Sequence, residues 1–149
     1  DVHGSRGLGD VYKRQSPFLP QTTEIDLPSR DHETITEFGY PMYAEGLERA
    51  SKWLGKLNLP IEITENGVAD KEDNLRPKHL KRHLWIIAKL IQEGVDIKSY
   101  YHWSLMDNFE WAEGYSMRFG LYHVDYETQT RTLRASGKAY QSIIKRHQK

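Results

Sequence analysis

The stretch Ile61-Glu62-Ile63-Thr64-Glu65-Asn66-Gly67 alternates apolar and polar residues through Thr64, sets Glu65 on the apolar side and then meets an Asn-Gly pair. A period of two reads as a short strand that puts Ile61, Ile63 and Glu65 on one side, and Asn66-Gly67 breaks it. Upstream, Leu47, Ala50, Trp53, Leu54 and Leu57 recur at helical spacing, with Glu48, Arg49, Lys52 and Lys56 on the other face. That pattern predicts an amphipathic helix over 45–57 whose apolar stripe faces the core. Downstream, a polar loop through Asp70, Glu72, Asp73 and Asn74 leads to Pro77, a favourable first helical residue. Leu80, Leu84, Ile87 and Ile91 then form a helical stripe, and Gly94 stands where the helix should stop. Residues 95–103 are rich in Val, Ile, Tyr and Trp and read as a second strand, followed later by a helix over about 135–147.

Strand, helix and strand fit a right-handed β-α-β crossover, because parallel strands need a connection long enough to carry a helix back across the sheet. The fold class expected is α/β with parallel strands. A closed (β/α)8 barrel takes about 250 residues, so the two units here amount to roughly a quarter of one, and the chain is expected to be incomplete. Residues 1–22 show neither a period of 2 nor one of 3.6 and are expected to be irregular and foreign to the domain. Within them, Asp10-Val11-Tyr12-Lys13-Arg14-Gln15 resembles translated adapter sequence.

Composition narrows the function. The 149 residues hold 21 basic and 21 acidic side chains, no cysteine and 38% hydrophobic residues. Thiolate chemistry and disulfides are excluded. A net charge of zero without a basic block lacks the phosphate-neutralising surface of nucleic-acid binders. No apolar run approaches the roughly 20 residues that span a bilayer, and no signal-like segment opens the chain, so a cytoplasmic protein without nucleic-acid or membrane partners is expected.

Glu65 ends a strand, and the C-terminal ends of parallel barrel strands are where side chains reach the reaction centre. It is therefore a candidate nucleophile, while the pattern alone reads more readily as a turn cap or a partner for a lysine. The segment Trp103-Ser104-Leu105-Met106-Asp107-Asn108-Phe109-Glu110-Trp111 offers indoles and a carboxylate together. A pyranose has C–H-rich faces that stack on indole and hydroxyls that donate to carboxylates, so Trp103, Glu110 and Trp111 are candidates to hold a sugar ring. A buried aromatic cluster with a paired glutamate reads as well from the pattern alone. A metal site of His79, His83 and His102 is a weak reading: His79 and His83 lie four apart on a helix, but Lys78, Lys81 and Arg82 surround the pair and no His-Glu-x-x-His pattern occurs, so they are read as solvated rather than as metal ligands.

Ile63-Thr64-Glu65-Asn66-Gly67, followed by the Trp103–Trp111 segment and by Arg118-Phe119-Gly120-Leu121-Tyr122-His123-Val124-Asp125, resembles glycoside hydrolase family 1. Similarity runs upstream in looser form to Gly39-Tyr40-Pro41-Met42-Tyr43-Ala44-Glu45-Gly46-Leu47 and downstream to Arg134 and Tyr140, covering residues 23–147, with residues 23–149 assigned to the C-terminal part of such a catalytic domain. The resemblance implies a (β/α)8 barrel that hydrolyses β-glycosides with retention, of β-glucosidase type, with no cofactor and no metal. Glu65 matches the nucleophile; Trp103 matches the residue stacking on the glycone, Glu110 the acceptor of its outer hydroxyls and Trp111 an indole N–H donor to it. The partner implied is a β-glycoside or oligosaccharide substrate.

The family's acid/base stands in an Asn-Glu-Pro motif, and this sequence has no Asn-Glu dipeptide, so the chain alone is expected to be inactive. A tyrosine that hydrogen-bonds the nucleophile is expected roughly 50 to 57 residues before Glu65, a spacing that loop lengths blur. Tyr12 falls in that window without the usual Asn-Tyr context. Members acting on 6-phosphorylated sugars carry Ser, Lys and Tyr where this chain has Glu110, Met117 and Phe119, so a free glycone is expected. Glu62 stands where the family usually has an apolar residue and is expected to reach solvent or a basic partner, and a cis peptide is expected at Trp103-Ser104. The alternative from another class is a sugar-binding or interaction module without turnover.

Overall fold

The computed structural model describes residues 34–147; residues 1–22, Tyr12 and the start of the resembling segment lie outside them. In chain order the elements are α1 (Ala44–Gly55), β1 (Ile61–Asn66), α2 (Arg76–Gln92), β2 (Ile97–His102), a 3-10 turn (Trp111–Glu113), β3 (Tyr122–Val124), β4 (Arg131–Leu133) and α3 (Ala135–His147). β1 and β2 pair in parallel, Ile61 opposite Ile97 and Ile63 opposite Tyr100, with α2 as the crossover between them. The β-α-β unit is thus present, within two residues of the expected bounds. The short antiparallel β3–β4 hairpin was not foreseen, because three-residue strands carry too little alternation to read.

α2 starts where Asp70 reaches forward. Its Oδ2 accepts the backbone N–H groups of Leu75 at 2.7 Å and Arg76 at 2.9 Å, which would otherwise be unpaired at the helix start. Pro77 sits in the first turn as expected. The buried face of α2 is Arg76, His79, Leu80, His83, Ile86, Ile87 and Leu90, a stripe at helical spacing. This corrects the sequence expectation on two counts. His79 and His83 are buried rather than solvated, their rings stacked with centroids 3.8 Å apart, while Lys78, Lys81 and Arg82 point to solvent from the opposite side. Ile91, expected in the stripe, is half exposed. The periodicity is sound, but neutral imidazoles and a guanidinium paired through both Nη atoms share the core face that the sequence reading gives to apolar residues alone.

α1 also turns differently from the expectation. It buries Ala44 and Ser51, whereas Trp53 is 40% exposed and Leu54 and Leu57 lie at the surface. Ala44 packs with Ile86 and Leu90 of α2, joined by Val95 and Ile97. Glu48 binds Lys89 of α2 at 2.8 Å and its own neighbour Lys52 at the same distance. The helix orients on what α2 offers it, and among the described residues nothing covers the Trp53 side.

Arg76 is the polar centre beneath the strand ends. Its guanidinium pairs with Asp73 and donates to the carbonyls of Asp70 at 2.6 Å and Arg118 at 2.7 Å. Asp73 also accepts the Ser136 N–H at the start of α3 at 2.8 Å, so one buried pair joins two helix starts to the loop after β2. Glu62 is exposed, as its strand position demands. No helix among the described residues is long and apolar enough to cross a membrane.

Candidate active site

Parallel strands end on the same side, so the last residues of β1 and β2 become neighbours. The Trp103 N–H donates to the Asn66 carbonyl at 3.1 Å, and Tyr100 Oη donates to Asn66 Oδ1 at 3.1 Å. A register shift between Ile63 and Asn66 interrupts the ladder beside Glu65, the kind of irregularity that re-aims a side chain at a strand end. Gly67 then passes directly against Trp103: a Cβ there would lie 2.7 Å from the Trp103 carbonyl carbon, inside any permitted contact. Only glycine allows the chain after Glu65 to lie this close to the indole-bearing residue. The Trp103-Ser104 peptide is cis, as expected.

Glu65, Trp103 and Glu110 line one cavity of about 350 Å3, together with Phe38, Tyr40 and Phe119. That size falls within the range of small-molecule sites. Glu110 is buried, and its Oε1 accepts the Trp103 indole N–H at 3.1 Å. Burial pushes its carboxyl above the ordinary range; the Trp103 hydrogen bond opposes that, and the charges of Glu65 and Asp107 add to it. Burial likewise raises Glu65, whose Oε2 is enclosed and has no hydrogen-bond partner among the described residues. An enclosed carboxylate oxygen at the edge of a cavity leaves hydrogen-bonding capacity unmet, a mark of functional sites.

Trp111 stands apart. It is 67% exposed, opens the 3-10 turn at φ 51° and lies outside the cavity lining. The structure therefore brings together three of the four candidate residues. Glu110 and Phe119 face the cavity, and Met117 does not line it.

The histidines border the same space from the α2 side. Burial drives His79 down to about 2, with His83, His102 and Arg76 adding to the effect, and it lowers His102 to about 4, with Arg76 adding to it. Both are neutral at ordinary pH. His83 Nδ1 lies 2.8 Å from the His79 carbonyl, which fixes its ring along the helix. Among the described residues no group of three or more His, Cys, Asp or Glu side chains is arranged to hold a metal ion.

Asp107 lies within the Trp103–Trp111 segment, where its sequence context assigns it no role. Its side chain is fully buried and binds Arg118 and Arg134, residues that are 11 and 27 positions further along the chain. A lone Asp in an aromatic segment gives no sign of which distant arginines will meet it.

The profile described as glycosyl hydrolase family 1 matches residues 11–149. A β-galactosidase of Sulfolobus acidocaldarius is 39% identical over 140 residues, which is 93% of this chain and 26% of that protein. β-Glucosidase A of Thermotoga maritima is 42% identical over 141 residues, 87% of this chain and 30% of that one. Among solved structures, a hyperthermophilic β-glucosidase from Pyrococcus furiosus superposes with a TM-score of 0.75 at 46% identity, covering 76% of this chain and 24% of the other. The chain thus spans 24% to 30% of the length of these relatives.

Proposed function

The chain belongs to glycosyl hydrolase family 1 and forms a portion of its (β/α)8 barrel, and from that premise we propose that it carries the nucleophile and part of the glycone site of a retaining β-glucosidase. The single observation that supports this most is the convergence of Glu65, Trp103 and Glu110 on one cavity. In this reading Glu65 attacks the anomeric carbon of a β-glycoside, forming a covalent glycosyl-enzyme that water then hydrolyses. A second carboxylate, about 5 to 5.5 Å away, protonates the leaving oxygen and later takes a proton from that water. This chain does not supply it in the family's Asn-Glu-Pro context, so residues 23–149 act as one part of a catalytic domain.

Trp103 offers its indole face to the apolar side of the pyranose, and Glu110 accepts from the outer hydroxyls. Trp111 donates its indole N–H to the same ring, which requires the exposed 3-10 turn to fold over the bound sugar. A phosphorylated glycone would set a dianion against the buried Glu110 carboxylate with no lysine at position 117, so the substrate is the free sugar, with glucose first and galactose or fucose tolerated.

The test is to treat the natural gene product that carries this chain with a 2-deoxy-2-fluoro β-glucoside bearing a good leaving group, then map the trapped sugar by mass spectrometry. The adduct is expected on the peptide containing Glu65, and an adduct on any other peptide overturns the assignment. The isolated 149 residues should not turn over cellobiose, whose leaving group needs the acid, since general-acid help is worth about 10² to 10⁴ in rate. Turnover comparable with a whole family member would overturn the claim that the chain lacks its acid/base.

A further inference from the structure

Between the two cavity residues Trp103 and Glu110 in sequence lies a carboxylate that accepts four hydrogen bonds. Asp107 Oδ1 accepts the Gly120 N–H at 2.9 Å. Oδ2 accepts the Val124 N–H at 3.2 Å, Arg118 Nη1 at 3.3 Å and Arg134 Nη2 at 3.1 Å, with His123 Nδ1 3.4 Å away. The arginines are themselves anchored: Arg134 donates to the Lys71 carbonyl at 2.6 Å and Arg118 to the Val124 carbonyl at 3.0 Å while lying over the Tyr126 ring. The backbone from Ser104 to Asp107 runs alongside residues 119–122, with hydrogen bonds from Leu121 N to the Ser104 carbonyl at 3.0 Å and from Asp107 N to the Tyr122 carbonyl at 3.1 Å. Beyond Asp107 the support thins. Tyr126 Oη donates to the Asn108 carbonyl at 3.1 Å, and Glu110 keeps backbone bonds to Gly114 and Glu113 inside its own turn and the side-chain bond to Trp103.

We propose that Asp107 is a positioning residue for sugar binding, its carboxylate clamping the loop so that the Glu110 carboxylate stays set against the Trp103 indole. This rests on the functional reading above. An amide cannot replace the acid, because Asn would point N–H groups at one or more of the converging donors and leave two largely buried arginines without a counter-charge. The loop would then relax away from residues 118–124, carrying Glu110 with it.

The experiment is steady-state kinetics of the natural gene product on 4-nitrophenyl β-glucoside, with active sites counted by titration with the fluorinated glycoside. Glu110 and Trp103 touch the glycone in both ground and transition states, so their displacement removes uniform binding. Asp107→Asn is expected to raise KM about ten- to hundredfold, the scale of one or two charge-assisted hydrogen bonds, with kcat per titrated site within about threefold. A merely structural Asp107 would lower the melting temperature and the number of titratable sites but leave the KM of the surviving enzyme unchanged, and that result overturns the proposal. Should Asp107→Asn yield no folded protein, Arg118→Lys keeps the acid, Arg134 and both N–H donors, and is expected to raise KM several-fold; an unchanged KM there also overturns it. Glu65→Ala in the same series separates the two levels. If it abolishes turnover while KM in the Asp107 variant is unmoved, only the positioning role fails; if it retains turnover, the functional reading itself fails.

Discussion

Gly67→Ala is the sharpest probe of how β1 and β2 build the cavity. A Cβ at residue 67 would stand 2.7 Å from the Trp103 carbonyl carbon and 3.3 Å from its Cα, with the carbonyl oxygen closer still. Carbon atoms reach their best separation at about 3.5 to 4.0 Å, so the carbon contact alone requires the two segments to part by roughly 1 Å and the nearer carbonyl oxygen requires more. The obstacle is backbone on both sides, tied by the Trp103 N–H to Asn66 carbonyl bond, and no side-chain rotation relieves it. A misplacement of that size near the reacting groups costs about 10² in rate, or about 2.7 kcal/mol of transition-state stabilisation. The assay is kcat/KM of the natural gene product on 4-nitrophenyl β-glucoside. Gly55→Ala serves as the control, because a Cβ there meets only the Val95 side chain at 3.4 Å. A Gly67→Ala enzyme within threefold of the parent would refute the argument that backbone contact at this point sets the geometry of Glu65 and Trp103.

Buried neutral histidines predict acid sensitivity. With His102 at about 4 in the folded chain against about 6.5 when exposed, the unfolded state takes up the proton first; stability is full above about pH 6.5 and falls toward pH 4, by about 3 kcal/mol from this residue alone. A melting temperature that stays flat from pH 7 to pH 5 contradicts this, and His102→Gln should flatten the slope. Glu65 runs the other way: burial raises its folded-state value, so the ionised form weighs against folding once pH exceeds the ordinary carboxylate range. Glu65→Gln should therefore melt higher than the parent at pH 7 and alike near pH 4, and equal melting at pH 7 would count against the desolvated site. Asp70→Ala removes the acceptor for the first N–H groups of α2 and should cost about 1 to 2 kcal/mol in urea unfolding; a change below 0.3 kcal/mol would place the start of α2 under other control.

The sequence alone determined the strand-helix-strand unit, because periods of 2 and 3.6, Pro77 and Gly94 act within a few residues of one another and need no distant partner. It also marked Glu65, Trp103 and Glu110, since strand-end position and residue chemistry are local facts. What faces inward was decided only by tertiary packing. α1 buries Ala44 and Ser51 rather than the Trp53 side because α2 meets it there, and His79 and His83 stack in the core, where burial lowers both. Asp107 joins Arg134, which in turn reaches back 63 positions to Lys71. Such pairings depend on where the folded chain returns, and the energy of a buried charge depends on who meets it; neither quantity exists until the elements are packed.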